Sequence, residues 1–493
     1  MNMKYFHELF DRCVADHPAN TFLYNTNGTM TFYDLDTVVN KITKELQFFN
    51  LPTKARIIVV GENCSDYVAA ILAVSRVNGV FCGFNARQTA FELEQYIQKF
   101  DPHLVVFVES GSNNSRQLAN KFGATDSIIP GFKMLQRQST KMPLPEHVAA
   151  VIFSSGTTGE PKGIMVSHRG IIQGAKSTAA TRGIVNQDRL YACIPMTHSF
   201  GLSSILCGAL LVGAGIIIRS KFDPIDVVDC LKNQGLTALQ GPPTLFAKLI
   251  DWMEQQGIKK AVAPDLRYLY TGSAPLTQTL KNKVENMFGI ALNYGYAVSE
   301  YPPGVAVTKI GEQRTDLSVG YVTENIKLKI INNGKTVEQD EVGNIWISGP
   351  LLTPGYLDDP DLTSCVVVDG WLNTGDLGYF DKQGALFIVS REKEVIKHSG
   401  FSVFPAEIEN LLNSLPDVDS SAVIGKPSTN GDEEILAFVK MKHGADFDLV
   451  CLKQYLQEHL APYKQPQQIK QIQEFPLTVS NKIIKRKLYD SIC

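Results

Sequence analysis

Nine cysteines are spread over 493 residues without one C-x-x-C pair. That absence excludes a thiol–disulfide motif and the usual zinc-ligand spacing, and leaves reduced core thiols as the expectation. An excess of one charge is missing too, since 47 Lys and Arg face 50 Asp and Glu for a net −3, so nothing pulls the chain generally toward nucleic acid or an anionic membrane. No apolar run is long enough to span a bilayer. The longest, Ile205 to Ile218, is broken by Gly208, Gly213 and Gly215 and suits a buried helix followed by a strand. The first residues, Met1-Asn2-Met3-Lys4-Tyr5-Phe6-His7, lack the apolar core of a secretory leader, and a cytoplasmic home with no transmembrane segment is expected. Internal repeats and low-complexity tracts are also absent. What is present, 44% hydrophobic and 20% charged residues, is an ordinary globular composition with length for more than one domain and a large core.

Residues 1 to 145 alternate between helical and strand periodicity. Thr31 to Leu46 carries Leu35, Val38, Val39, Ile42 and Leu46 at helical spacing, with Thr31 and Asp34 as a capping box. A strand at Arg56 to Val60, a helix at Tyr67 to Val77, a strand at Val80 to Phe84, a helix at Ala90 to Phe100 and a strand at Leu104 to Val108 follow. This order predicts βαβ crossovers and a mostly parallel sheet. Ser110 to Asn120 and Gln136 to Pro145 are predicted as polar connections, and no site is expected in this region.

The densest chemistry begins after an apolar strand at Val148 to Phe153. Ser154-Ser155-Gly156-Thr157-Thr158-Gly159-Glu160-Pro161-Lys162-Gly163 places four hydroxyls, three glycines and one lysine within ten residues. Donors without bulk let backbone N–H groups approach an oxyanion while Lys162 adds charge, which is what a phosphate-holding loop needs. The common P-loop spacing is not met, because Glu160-Pro161 separates the last loop glycine from the lysine, and a kinase or GTPase is disfavoured.

This string resembles the signature loop of the adenylate-forming superfamily of acyl- and aryl-CoA ligases, luciferases and adenylation domains. Further segments resemble that family's motifs in the same order. Pro195-Met196-Thr197-His198-Ser199-Phe200-Gly201-Leu202 is similar to Pro-x-x-His-x-x-Gly-Leu, and Gly272-Ser273-Ala274-Pro275-Leu276 to Gly-x-Ala-Pro-Leu. Tyr296-Ala297-Val298-Ser299-Glu300 is similar to Tyr-Gly-x-Thr-Glu, Thr374-Gly375-Asp376 to Thr-Gly-Asp, and Arg391 to Lys397 to Arg-x-Lys/Asp-x-x-Ile-Lys. Pro476 to Lys487 resembles the terminal Pro-x4-Gly-Lys-Ile-x-Arg segment, with Asn481, a residue tolerant of left-handed backbone, in place of Gly.

The resemblance implies an α/β fold with a large multi-sheet N-terminal domain, 1–392, and a small mobile C-terminal α+β domain, 393–493. It implies ATP held by Ser154, Ser155, Gly156, Thr157, Thr158, Gly159 and Lys162, with Gly272, Ser273 and Ala274 beside adenine. Tyr296 would stack on adenine, Ser299 would hold the α-phosphate, and Asp376 and Arg391 would take the ribose hydroxyls. Glu300 would ligate Mg2+; His198, Gly272 and Ala297 would line the acid pocket; Lys482 would bridge carboxylate and α-phosphate; Lys393 would be the hinge; and Lys397 would enter in a second state. Ala297 stands where glycine is usual and, adding only a methyl group, leaves room for an acid larger than acetate, aryl or medium-chain. No Asp that would hold a substrate ammonium is seen beside these motifs, which disfavours an amino acid.

The implied reaction is acid activation to an acyl-adenylate and transfer to a thiol, either of CoA or of a carrier protein's phosphopantetheine arm. His398-Ser399-Gly400-Phe401-Ser402 departs from the Tyr-Lys-Gly-Phe-Gln of many CoA ligases and leaves both acceptors open. A nucleotide-binding protein without catalysis is the alternative of another class, weighed against by Lys162, Glu300, Asp376, Arg391 and Lys482 occurring together; nothing points to luciferase-type oxygenation.

Overall fold

The computed structural model describes residues 3–155, 161–398, 401–427, 433–478 and 483–489. Within them, periodicity translates closely into elements. Thr31 caps the helix Phe32–Phe48 through the expected box: its hydroxyl accepts from Asp34 N at 3.1 Å, and Asp34 Oδ2 accepts from Thr31 N at 2.9 Å. The helix Ala90–Phe100 and the strand Leu104–Val108 fall at the predicted bounds. One predicted connection is wrong. Asn113–Lys121 is a helix capped by Ser112, whose largely polar sequence buries only Ser115, Leu118 and Ala119 and so shows little apolar period.

Two large sheets carry the N-terminal part. One has seven strands in the spatial order Thr125–Asp126, Phe132–Gln136, Leu104–Val108, Arg56–Gly61, Val80–Asn85, Val148–Ser155 and Pro161–Ser167. Its middle four are parallel, as crossovers through helices require, and its flanks are antiparallel. The other has nine strands, among them Leu292–Val298, Tyr268–Gly272, Ala238–Gly241, Arg189–Ala192 and Gly215–Ile218 running parallel side by side. A third sheet of six strands is built around Trp371–Phe380.

The apolar run ending at Ile218 forms a π-helical turn Phe200–Leu206, a helix Cys207–Val212 and the strand Gly215–Ile218, all deep in the core apart from half-buried Leu211 and Val212. Gly201 permits the close start, because a Cβ there would lie 2.3 Å from the Pro195 carbonyl oxygen. No helix among the described residues is long and apolar enough to cross a membrane. The eight described cysteines are free; five are buried and Cys64 is half-buried, but Cys365 and Cys451 are exposed, so the expectation of core thiols fails for those two.

The small C-terminal part packs the helices Pro405–Ser414 and Leu449–His459 on a sheet of Val418–Pro427, Glu433–Met441 and Gln468–Gln471. Its core, which includes Ile396, Val403, Ile408, Leu412 and Leu456, is separate from the large core, whose last member along the chain is Ile388. The crossing between cores spans the short 3-10 turn Glu392–Glu394.

Candidate active site

The glycine- and hydroxyl-rich segment begins and ends in the two strands of a β-hairpin. Val148–Ser155 pairs antiparallel with Pro161–Ser167, setting Ser154 opposite Lys162 and Ser155 opposite Pro161. Gly156, Thr157, Thr158 and Gly159 lie outside the described residues, and of Ser154 and Ser155 only the backbone is described. A second segment, Thr353 to Leu357, staples this hairpin to Glu300. Met165 N donates to Gly355 O at 3.0 Å and Leu357 N to Gly163 O at 2.7 Å, while Thr353 N donates to Glu300 O at 2.8 Å. Side chains repeat the link, since the Lys162 ammonium lies 6.0 Å from the Tyr356 ring centroid and the Tyr356 hydroxyl donates to Glu300 Oε1 at 2.7 Å. Burial and the Glu300 carboxylate push the Tyr356 phenol far up, which keeps it a donor at neutral pH.

A hard divalent cation fits the Glu300 carboxylate. Among the described residues no group of three or more His, Cys, Asp or Glu could cage a metal, and Mg2+ ordinarily uses one or two carboxylates together with substrate phosphates.

Three residues far apart in the chain meet beside this region. The strands Trp371–Phe380 and Leu386–Arg391 pair with Asp376 opposite Arg391, and Arg391 Nε lies 3.3 Å from Asp376 Oδ1. The Tyr296 hydroxyl donates to the other carboxylate oxygen. Thr374 fixes the turn by accepting from Asp376 N at 3.1 Å and donating to Ile345 O at 2.8 Å. Burial pushes the Asp376 carboxyl up, opposed by Arg391 and the Tyr296 hydrogen bond, and burial together with Asp376 pushes the Tyr296 phenol well up. Ser299 is half-buried in the turn next to Glu300.

The predicted small-residue turn follows the strand Tyr268–Gly272. Ser273 has φ +69°, and a Cβ on Gly272 would lie 2.9 Å from both the Gly295 carbonyl oxygen and the Tyr270 hydroxyl. Only glycine fits there. Ala274 O accepts from the Tyr294 hydroxyl at 3.3 Å.

His198 is half-buried at the mouth of the π-helical turn, its Nδ1 accepting from Phe200 N at 3.3 Å. The segment before it is pinned by buried Asn63, whose amide donates to Ile194 O at 2.8 Å and accepts from Met196 N at 3.0 Å. Residues 1 to 145 therefore contribute a positioning residue where none was expected. An Asn in a loop carries no local signal of that contact, and neither does Tyr356 for its bond to Glu300. Ala297 is exposed.

Lys393 is exposed in the turn between the two cores, and Lys397 is exposed just beyond it, with its backbone N donating to Glu433 Oε2 at 2.6 Å. Lys482 lies outside the described residues. Its flanks are tied to the small domain: Ile484 N donates to Pro476 O at 2.8 Å, and Lys485 pairs with Glu394 and Glu409, each at 2.9 Å.

Residues 10–357 match the family described as AMP-binding enzyme, and 407–482 match the AMP-binding enzyme C-terminal domain; the chain belongs to this family. It is 27% identical to the long-chain-fatty-acid–CoA ligase of Bacillus subtilis, over 97% of this chain and 92% of that protein. Similarity to the 4-coumarate–CoA ligase 1 of Solanum tuberosum is 28% identity over 97% and 90% of the two chains. The crystal structure of ATP-bound MatB from Rhodopseudomonas palustris superposes with a TM-score of 0.88 at 26% identity, covering 100% of this chain and 99% of that one.

Proposed function

We propose that this chain joins a carboxylic acid larger than acetate, aryl or medium-chain, to a thiol at the expense of ATP, in the cytosol and through two half-reactions. The meeting of Tyr296, Asp376 and Arg391 carries the reading, because a buried carboxylate held from two sides keeps free lone pairs for a pair of ribose hydroxyls. Family membership and CoA ligases among the similar proteins support it.

In the first half-reaction an oxygen of the acid attacks the α-phosphorus of ATP and the bond to pyrophosphate breaks. Two anions must be held together, so positive charge has to gather between them. Lys482 bridges carboxylate and α-phosphate, Lys162 and the donors Ser154, Ser155, Gly156, Thr157, Thr158 and Gly159 hold the departing pyrophosphate, and Ser299 holds the α-phosphate. Glu300, steadied by Tyr356, would hold Mg2+, which would supply charge neutralisation there. Tyr296 stacks on adenine beside Gly272, Ser273 and Ala274, and His198, Gly272 and Ala297 border the acid. In the second half-reaction the acceptor sulfur attacks the acyl carbon and the bond to AMP breaks. Residues 393–493 turn about Lys393 on 1–392, withdrawing Lys482 and bringing Lys397 in. Free CoA is the acceptor, with a carrier protein's phosphopantetheine arm as the second reading because His398 to Ser402 departs from the usual CoA-ligase segment.

The test is ATP-dependent pyrophosphate release against aryl, short, medium and long acids, each with and without CoA. Release with one acid class and CoA consumed into a thioester is expected. Slow release with bound acyl-AMP and no effect of CoA selects the carrier protein, and no release with any acid removes the reading.

A further inference from the structure

Arg182 ends the helix His168–Arg182 and is only 4% exposed. Among the described residues no carboxylate pairs with it: one Nη donates to the neutral amide oxygen of Gln240, and the guanidinium lies 3.9 Å from the Tyr270 ring centroid and 5.4 Å from that of Phe200. The helix's C-terminal dipole favours a cation there but offers partial charge only. An amide and two aromatic faces do not replace the hydration of a buried guanidinium, which ordinarily demands a counter-ion.

The surroundings share the deficit. Gln240 Nε2, Tyr268 Oη and Thr178 Oγ1 are buried without a hydrogen-bond partner among the described residues. Gln240 sits opposite Tyr270 on the neighbouring strand, and Tyr268 lies two residues from Tyr270 on the same face of the sheet. Beside Arg182 and Tyr270 lies a cavity of about 10 Å³, a space that a single water-sized oxygen fills.

This cluster backs onto the acid side of the site. Phe200 is two residues beyond His198, and the Tyr270 hydroxyl fills the places where Cβ atoms of Gly272 and Gly295 would be, 2.9 and 2.6 Å from them. Tyr270 thus lies between Gly272, which its hydroxyl approaches, and Arg182, which its ring faces.

We propose that the acid activated here is a dicarboxylic acid, with its second carboxylate received by Arg182. The inference rests on the acid–thiol ligase reading and gives it a substrate class. A distal hydroxyl would satisfy hydrogen bonds but leave the guanidinium uncompensated, so the anion is the better fit.

The experiment measures acid-dependent ATP–pyrophosphate exchange with straight-chain and aryl dicarboxylic acids, each paired with hydroxyl-ended and methyl-ended counterparts of equal length. At least one dicarboxylic acid should exceed its methyl-ended partner in kcat/KM by about a hundredfold or more, since a site with buried polar groups rejects an analogue that leaves them unpaired. In Arg182→Leu the preference should collapse through a raised KM for the dicarboxylic acid, with the methyl-ended acid still activated; Arg182→Lys should retain part of it. Activity on the methyl-ended acid and an unchanged KM for ATP establish that the variants fold. Preference for the hydroxyl- or methyl-ended acids, or equal losses on all three in Arg182→Leu, would overturn the proposal while leaving the ligase reading intact. No exchange with any acid, when calorimetry shows ATP bound, removes both.

Discussion

On the side proposed to hold the nucleotide, buried charge is answered within the chain: Asp376 meets Arg391 and the Tyr296 hydroxyl, and Glu300 meets the Tyr356 hydroxyl. On the side proposed to receive the acid, Arg182 is buried against a neutral amide and two aromatic rings. The helix that ends at Arg182 starts at His168, at the end of the hairpin away from the loop. A shared ligand can be met by a site whose electrostatics are complete beforehand, whereas a specific ligand must bring something the protein lacks. The nucleotide side has the first character and the acid side the second.

The largest break in this comparison is expected from Lys482, proposed to bridge carboxylate and α-phosphate. Lys482→Ala should slow pyrophosphate release by about a hundred- to a thousandfold, the usual loss for one charge aimed at a transition state, while the KM for ATP changes little. A fall confined to KM would place the residue in ground-state binding instead.

Asp376→Ala separates the two sides directly. One hydrogen bond to a charged partner contributes about 1.5–3 kcal/mol, so the KM for ATP should rise at least about tenfold with the KM for the acid unchanged. If both constants move together, the walls are not independent. Tyr356→Phe is the milder nucleotide-side change: Glu300 loses one donor, and the Mg2+ concentration for half-maximal rate should shift by about fivefold, as for the loss of about 1 kcal/mol. An unchanged Mg2+ dependence would remove Tyr356 from the support of Glu300.

How much of this was legible in sequence follows the same divide. Asp376, Arg391, Tyr296 and Glu300 sit in short segments that resemble the family's motifs, and backbone register then brings Asp376 opposite Arg391. The helices and strands from Arg56 to Val108 were legible because each shows a clean period, and Asn113–Lys121 was not, because a polar helix has little apolar stripe. Asn63 and Arg182 were invisible for a further reason. Each acts on residues more than fifty positions away, Asn63 on Ala192 to Met196 and Arg182 on Gln240 and Tyr270, and no local pattern encodes such contacts.

The smallest effect tests the other end of the helix that carries Arg182. His168 is buried; its Nδ1 accepts from Phe6 N at 3.3 Å, and its Nε2 lies 3.2 Å from Lys54 Nζ. Burial, with the nearby Lys54 charge, pulls its pKa down to about 3. The unfolded chain, near the ordinary value of about 6.5, therefore binds a proton that the folded chain refuses between those limits. This contribution to stability is complete above about pH 6.5 and is lost progressively as pH falls toward 3. One unit below the unfolded value the loss is about 1 kcal/mol, which for a chain of this size lowers the melting temperature by a degree or two. Melting curves at pH 7.5 and 5.5 for the wild type and His168→Asn should differ in slope by that amount, and equal slopes would mean that His168 is not the group that titrates. Arg182 lies at the opposite end of this helix from His168, so the preference among acids should not follow the change in stability.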